Sequence, residues 1–313
     1  MEGRSMGISL NNLIYPYFIV NGKNIKKEIK SFPGIHRFSI DCLIRDLKET
    51  LDLGINKVLL FGVPEDKDIL GSGACKKDNL VVLAIKKIKA KFPKLLVMTD
   101  VCLCAYTNHG HCGILKQSKN EIDRKTTLAA LSNMALTHAQ AGADWVAPSA
   151  MAKGQVLAIR KTLDKYGFNK TKILGYSAKF NSNFYGPFRQ AANSAPAFGD
   201  RSAYQLDCRD TQKALKKIKE DIDSGADMVM VKPALSYLDI ISSAKLSFNF
   251  PMAAYNVSGE YALVKYGAKQ KLWDEKKAVK EIISSIFRAG ADYIITYHAK
   301  DIAKWIKSGK YSI

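Results

Sequence analysis

Lys179 closes the run Gly175-Tyr-Ser-Ala-Lys-Phe180, and Lys232 closes Met228-Val-Met-Val-Lys-Pro233. Each run is short and mostly apolar, the pattern of a buried strand, so each ammonium is carried to the C-terminal end of a strand. An isolated buried charge is costly. Desolvation and a second ammonium nearby both lower a lysine pKa, leaving a neutral amine able to attack a carbonyl and form a Schiff base. The alternative for either lysine alone is an aliphatic stem that carries its charge out to water. Two such lysines, each in a segment rich in Tyr, Ser, Pro or Gly, favour the chemistry.

A second cluster is Asp100-Val-Cys-Leu-Cys-Ala-Tyr-Thr-Asn-His-Gly-His-Cys112. Cys102, Cys104 and Cys112 offer three thiolates, which suit a borderline cation such as Zn2+ and leave a fourth tetrahedral position for water or substrate. The alternative is three buried thiols. The spacing matches no zinc finger, and His109 and His111 stand as ligands, as donors to the ligands or as plain loop residues. Cys42, Cys75 and Cys208 have no such context and read as core or incidental thiols. Six cysteines without a secretory leader suggest a reducing, cytoplasmic setting, not a disulfide framework.

Arg189 and Arg201 lie in an aromatic loop, Phe184-Tyr-Gly-Pro-Phe-Arg189 and Phe198-Gly-Asp-Arg201, with Gln205 just beyond. Guanidinium groups hold carboxylates bidentately, so a substrate clamp is the functional reading and exposed loop arginines the plain one. Ser258 and Tyr297 follow the last two candidate strands and could hold a second carboxylate. No Ser–His–Asp spacing suggests a nucleophilic serine.

These residues need a scaffold that gathers strand ends. Eight candidate strands, 13–20, 57–62, 95–101, 144–148, 172–178, 227–231, 251–257 and 292–297, alternate with amphipathic stretches at 40–53, 80–91, 128–141, 156–166, 211–224 and 276–289. Gly54-Ile-Asn56, Gly142-Ala-Asp144, Gly225-Ala-Asp227 and Gly290-Ala-Asp292 recur where a helix should end and a buried strand begin. Eight such units predict one parallel α/β domain, a (β/α)8 barrel over residues 13–313 behind a short arm at 1–12, with a doubly wound sheet as the alternative. No Gly-x-Gly-x-x-Gly or Walker motif supports a nucleotide fold. Asp100, Cys102, Cys104, Ser149, Lys179, Lys232, Ser258 and Tyr297 all fall just after strands and so converge on the barrel mouth. The segment 180–212 exceeds an ordinary connection and is a candidate lid.

Composition narrows the partners. The 48 Lys+Arg against 29 Asp+Glu give a net charge of +19, but the lysines are scattered through helix-like segments at 23–30, 86–94, 213–219 and 269–280. Their alternation with Ile, Leu and Ala marks solvated helix faces, which argues against nucleic acid; an anionic substrate would gain from the field. No apolar run approaches the roughly 20 residues that span a bilayer.

Taken in order, these motifs resemble the porphobilinogen synthase (5-aminolevulinate dehydratase) family. The resemblance runs from about Asn12 to the C-terminus through Leu13-Ile-Tyr-Pro, Phe32-Pro-Gly-Ile, Leu60-Phe-Gly-Val-Pro, the Asp100–Cys112 segment, Tyr185-Gly-Pro-Phe-Arg, Met230-Val-Lys-Pro, Tyr237-Leu-Asp and Val257-Ser-Gly-Glu-Tyr. It implies a (β/α)8 barrel that condenses two 5-aminolevulinates with loss of two waters, in tetrapyrrole biosynthesis. It implies that Lys232 binds the substrate giving the acetyl and aminomethyl side, and Lys179 the propionyl-side substrate. Cys102, Cys104 and Cys112 match the zinc ligands, Arg189, Arg201 and Gln205 the clamp on one carboxylate, and Ser258 and Tyr297 the holders of the other. The alternatives are another Schiff-base lyase of the aldolase kind and a drifted, inactive relative kept for assembly.

Three departures qualify the resemblance. The family pattern Ala-Pro-Ser-Asp-Met-Met-Asp-Gly-Arg is here Ala147-Pro-Ser-Ala-Met-Ala-Lys-Gly-Gln155. Ser224 replaces the usual acid before Gly-Ala-Asp, which weakens the case for an outer magnesium. The arm before Leu13 is short, so a homo-oligomer is expected, with the family's octamer and a smaller assembly as rivals.

Overall fold

The computed structural model describes residues 8–116 and 121–309. Eight parallel strands form a closed barrel: β1 (Leu13–Val20), β4 (Lys57–Val63), β5 (Leu96–Val101), β6 (Trp145–Pro148), β7 (Lys172–Lys179), β8 (Met228–Lys232), β9 (Met252–Asn256) and β10 (Tyr293–Thr296). Closure comes from β10 pairing with β1, Leu13 opposite Ile294 and Ile14 opposite Ile295. Helices α1 (Ile40–Asp52), α2 (Leu80–Lys91), α3 (Arg124–Gln140), α4 (Gln155–Lys165), α6 (Thr211–Asp223), α7 (Leu238–Phe248), α8 (Ser258–Lys269), α9 (Glu275–Arg288) and α10 (Ala299–Lys307) connect or follow the strands. The barrel is therefore (β/α)8, and the doubly wound alternative falls. The eight expected strands and six expected helices lie within four residues of their observed bounds.

Two apolar layers follow from the period of two along each strand. In β1, Ile14 and Phe18 join Leu59, Phe61, Met98, Leu174, Met230 and Tyr255 inside the barrel. Leu13, Tyr15, Tyr17 and Ile19 face outward to the helices, with Leu43, Leu47, Val82 and Ile85.

One hairpin escaped the sequence reading. Residues 23–30 have the composition of a solvated helix, yet β2 (Lys26–Ile29) and β3 (Phe32–Phe38) form an antiparallel pair. The lysines and glutamate of β2 are exposed and only Ile29 is buried, so the strand buries too little apolar surface to show a pattern. β3 runs parallel to β1 at Phe18 and Ile19, beyond the reach of the short β10, and raises that wall of the mouth. The lysine-rich stretch 269–280 likewise spans a break, since α8 ends at Lys269 and α9 starts at Glu275.

The base is stitched by side chains. Asp144 Oδ2 accepts from Val97 N at 2.7 Å and Lys89 Nζ at 2.6 Å; Asp227 Oδ2 accepts from Ile173 N at 2.8 Å. Asp292 Oδ2 accepts from Met252 N at 2.8 Å and Lys245 Nζ at 2.8 Å. Each Gly-Ala-Asp thus does two things: the glycine, at φ between 90° and 116°, ends the helix in a left-handed turn, and the aspartate holds the start of the preceding strand. Of the arm expected over 1–12, residues 1–7 lie outside the described residues. Leu10–Asn12 form a 3-10 turn against the base, with Asn12 Nδ2 donating to Asp292 O at 3.0 Å.

Candidate active site

The two lysines meet because β7 is irregular. Leu174 pairs with Met228 and Gly175 with Val229, but Ala178 then pairs with Val231 and Lys179 with Lys232. One extra residue in β7 between Gly175 and Ala178 reverses the parity of everything after it. Lys179 consequently shares the barrel interior with Leu174 and Tyr176, where uninterrupted alternation would turn it toward the helices. Lys232 keeps the inward parity of Met228 and Met230. Both lysines line one closed cavity with Asp100, Ser149, Cys104 and Arg201.

Their surroundings differ. Lys179 Nζ donates to Ser149 O at 2.6 Å. Lys232 Nζ sits 4.0 Å from the ring centroid of Tyr255, with Phe188, Tyr176 and Tyr185 at 5.0, 5.2 and 5.4 Å. Aromatic faces favour a cation by about 0.5–2 kcal/mol. Burial opposes them first, and the neighbouring Lys179 charge second, so the Lys232 pKa falls well below its ordinary value while Asp100 pulls it back. Burial likewise raises Asp100 to about 6, against the Ser149 hydroxyl and the two lysines. Its Oδ1 has no hydrogen-bond partner among the described residues.

Cys102, Cys104 and Cys112 are all buried, and their sulfurs lie within 4.8 Å of one another, the first two 3.3 Å apart. Cys112 is held well below the usual thiol range, mainly because Cys102 and Cys104 donate to it; Cys102 is correspondingly raised. Three buried sulfurs, one held toward thiolate and two raised, Cys104 to about 11, are a donor set of the kind Zn2+ takes with release of protons. The histidines are placed otherwise. His111 uses both ring nitrogens, with Tyr204 Oη at 3.2 Å and Phe198 O at 3.1 Å, and His109 Nδ1 accepts from His111 N at 3.1 Å. They tie the thiol loop together and to the segment above it.

That segment, 180–212, closes the mouth. Phe180 stacks on Tyr237 at 3.8 Å, and α5 (Gly186–Ala191) lies over the cavity with Phe188. Tyr185 Oη donates to Phe180 O at 2.9 Å and Lys232 O at 3.1 Å. From β3, Arg37 Nε donates to Ala191 O at 2.8 Å. Gly259 is obligatory under this cover: a Cβ there would fall 2.6 Å from Phe184 O. Ser258 Oγ donates to Phe184 O at 3.1 Å and accepts from Phe188 N at 3.0 Å, so in this closed arrangement it anchors the lid. Tyr297 is buried among Phe18, Phe32 and Tyr261, its hydroxyl 3.1 Å from that of Tyr255.

The loop arginines are not surface groups. Arg201 is 3% exposed and donates to Gly110 O at 3.0 Å and Ser194 O at 2.5 Å, bridging lid and thiol loop. Arg189 is half-buried with its Nε unpartnered, and the buried amide of Gln205 leaves both polar atoms unpartnered among the described residues. Buried polar atoms without partners are rare and mark a place where another group can bind. The closed cavity is only about 20 Å³, room for one water, so a substrate must enter by displacing part of this cover.

The model of the family described as delta-aminolevulinic acid dehydratase matches residues 3–305. The chain belongs to that family. It is 49% identical over 306 residues to the delta-aminolevulinic acid dehydratase of Synechocystis sp., covering 97% of this chain and 94% of the relative. It is 48% identical over 296 residues to that of Bacillus subtilis, covering 95% and 91%. The crystal structure of the Toxoplasma gondii dehydratase (porphobilinogen synthase), solved with the reaction product porphobilinogen, superposes with a TM-score of 0.95 at 38% identity, covering 98% of this chain and 89% of that one. Membership makes this a lyase with a parallel barrel, and sets aside the aldolase alternative. No helix among the described residues is long and apolar enough to cross a membrane.

Against this family frame, sequence reasoning placed Asp100 and Ser149 at the mouth without a role, and it missed the Tyr176–Tyr255 cage. Gly175 inside an apolar strand was the available signal for the bulge.

Proposed function

We propose that the protein is a zinc-dependent porphobilinogen synthase that joins two 5-aminolevulinates, releasing two waters, through Schiff bases on Lys179 and Lys232. The observation that carries this reading is the pairing of Lys179 with Lys232 across neighbouring strands, both buried and in one cavity. A desolvated amine beside a second ammonium is the arrangement that yields a nucleophilic lysine. Lys232, ringed by aromatic faces and lowered in pKa, attacks the ketone of the acetyl-side substrate; Lys179, fixed by Ser149 O, takes the propionyl-side ketone. A protonated imine acidifies the neighbouring carbon–hydrogen bond, and the resulting enamine is the carbon nucleophile. Asp100, its Oδ1 unpartnered in the same cavity, is placed to accept and return protons beside both Nζ atoms.

Arg189, Arg201 and Gln205 hold one substrate carboxylate and fix its register against Lys179. Ser258 and Tyr297 hold the other once the lid contacts at Ser258 exchange for substrate. Cys102, Cys104 and Cys112 would hold the zinc, which when bound supplies a Lewis-acidic position for a substrate amine. The lid excludes water from the imines. A homo-oligomer fits the family reading, with assembly size open to sedimentation.

The test is porphobilinogen formation by the purified protein before and after chelation. Turnover, its loss on exhaustive chelation, and recovery with Zn2+ but not Mg2+ are expected. No turnover in zinc-replete enzyme would favour a drifted relative kept for assembly, and full activity after chelation would remove the three cysteines as ligands.

A further inference from the structure

A second, larger cavity lies beside the closed one. It has a volume of about 470 Å³, within the roughly 300–1,000 Å³ of small-molecule pockets. Its walls are the start of α3, the loop 150–153 after β6, one face of α6 and the lid segment 203–206. Ile122, Ala150, Met151 and Leu206 give it an apolar floor. The loop is fixed to α3 by Arg124 Nε donating to Lys153 O at 3.0 Å. Met151 is held at φ 62°, a left-handed conformation unfavourable for a side-chain-bearing residue and one that recurs at ligand sites.

The rim is basic. Arg124, Lys153, Lys213 and Lys216 line it against the single carboxylate of Glu220, while Lys217 is already satisfied by Asp221. Gln205 is the decisive residue: 4% exposed, with both amide atoms unpartnered among the described residues, it lines the outer cavity in this closed arrangement and joins Arg189 and Arg201 on the carboxylate only once segment 203–206 moves. The thiol loop and lid segment form the shared partition, with Cys112, Tyr204 and Gln205 on the outer side and Cys104 and Arg201 on the inner.

We propose that this outer cavity is a carboxylate-binding vestibule, in which the anionic substrate is held by Lys153, Lys213 and Lys216 and handed past Gln205 when segment 203–206 moves. The proposal rests on the 5-aminolevulinate reading above. A keto acid with one carboxylate and a short apolar stem matches a basic rim over an apolar floor, and the inner cavity is too small to be the first place it binds. The three lysines are exposed and make no contact with the thiols or the reactive lysines, so they can be changed without touching the chemistry.

The experiment compares the zinc-replete full-length protein with the triple variant Lys153→Gln/Lys213→Gln/Lys216→Gln, reading kcat and KM for porphobilinogen formation across ionic strength and 5-aminolevulinate binding by calorimetry. The expected result is a KM raised about tenfold at low salt, kcat within about twofold of the parent, and a flattened salt dependence of kcat/KM. Unchanged KM and salt slope in an active parent would overturn the vestibule and leave the proposed function standing. If the parent makes no porphobilinogen, that function falls, and the binding arm still decides: weaker 5-aminolevulinate binding by the triple variant supports the vestibule, and equal affinity overturns it.

Discussion

At the base of the barrel, Asp144, Asp227 and Asp292 each accept from the backbone of a neighbouring strand, and Lys89 and Lys245 neutralise two of them. At the mouth, Asp100 Oδ1, Tyr176 Oη, Arg189 Nε, Arg201 Nε and both amide atoms of Gln205 are buried without partners among the described residues. Toward the base His138 Nε2, Arg160 Nε and Asp221 Oδ2 are unpartnered as well, but the aspartates that join the strand starts are satisfied, whereas at the strand ends the unpartnered groups gather at one mouth. An unmet buried polar group costs on the order of 1–3 kcal/mol, so a cluster of them persists only where something else binds there. The base supplies stability that the mouth withholds.

Substituting one residue from each end separates the two roles. Lys232→Met should lower kcat by roughly 10⁴-fold, the scale lost when a group essential to the chemistry is removed. It should leave the melting temperature unchanged or raised, because a desolvated amine beside another ammonium is replaced by an apolar side chain of similar length. A marked fall in melting temperature would show that Lys232 is structural. Asp144→Ala should do the opposite: a loss of about 2 kcal/mol in urea titration, from the Val97 and Lys89 bonds, with kcat retained. Lost activity in stable Asp144→Ala protein would break the division between the ends.

Acid sharpens it further. His138, in the last turn of α3 toward the base, is fully buried with Nδ1 3.0 Å from Thr99 Oγ1, and burial depresses its pKa to about 3. A depressed folded-state pKa means that folding requires the neutral ring. Stability from this residue is therefore complete above about pH 6.5 and is lost as pH falls from there toward 3, amounting to about 2 kcal/mol by pH 5. Urea titrations at pH 7 and 5 should show that loss, and a His138→Gln variant should show a flatter dependence. An equal slope in both proteins would place the acid sensitivity elsewhere.

How much of this was legible in sequence depended on whether the signal was periodic. The eight barrel strands were, because buried strands alternate with helices of regular apolar spacing and the glycine of each Gly-Ala-Asp ends a helix. The aspartates' task was not, since the N–H groups that donate to them sit on the preceding strand 40 or more residues away, as in Asp144 with Val97. The hairpin β2–β3 failed for a different reason: Lys26, Lys27 and Glu28 face water, leaving composition to suggest a helix. Lys179 and Lys232 were found by type and placement. Their meeting depended on one additional residue in β7, which only the register reveals. Arg201 and Gln205 were singled out as a clamp, but their burial was not legible, because a lid that folds back over the mouth buries polar side chains that no local pattern marks.

The most direct test of the account is to trap the imines. Zinc-replete enzyme is incubated with labelled 5-aminolevulinate, reduced with borohydride and digested, and the labelled peptides are sequenced. Label on both the Lys179 and the Lys232 peptides, with loss of only the corresponding one in Lys179→Met or Lys232→Met, is the predicted result. Label on neither lysine in an enzyme that still makes porphobilinogen would contradict the claim that the bulge in β7 brings together two Schiff-base lysines.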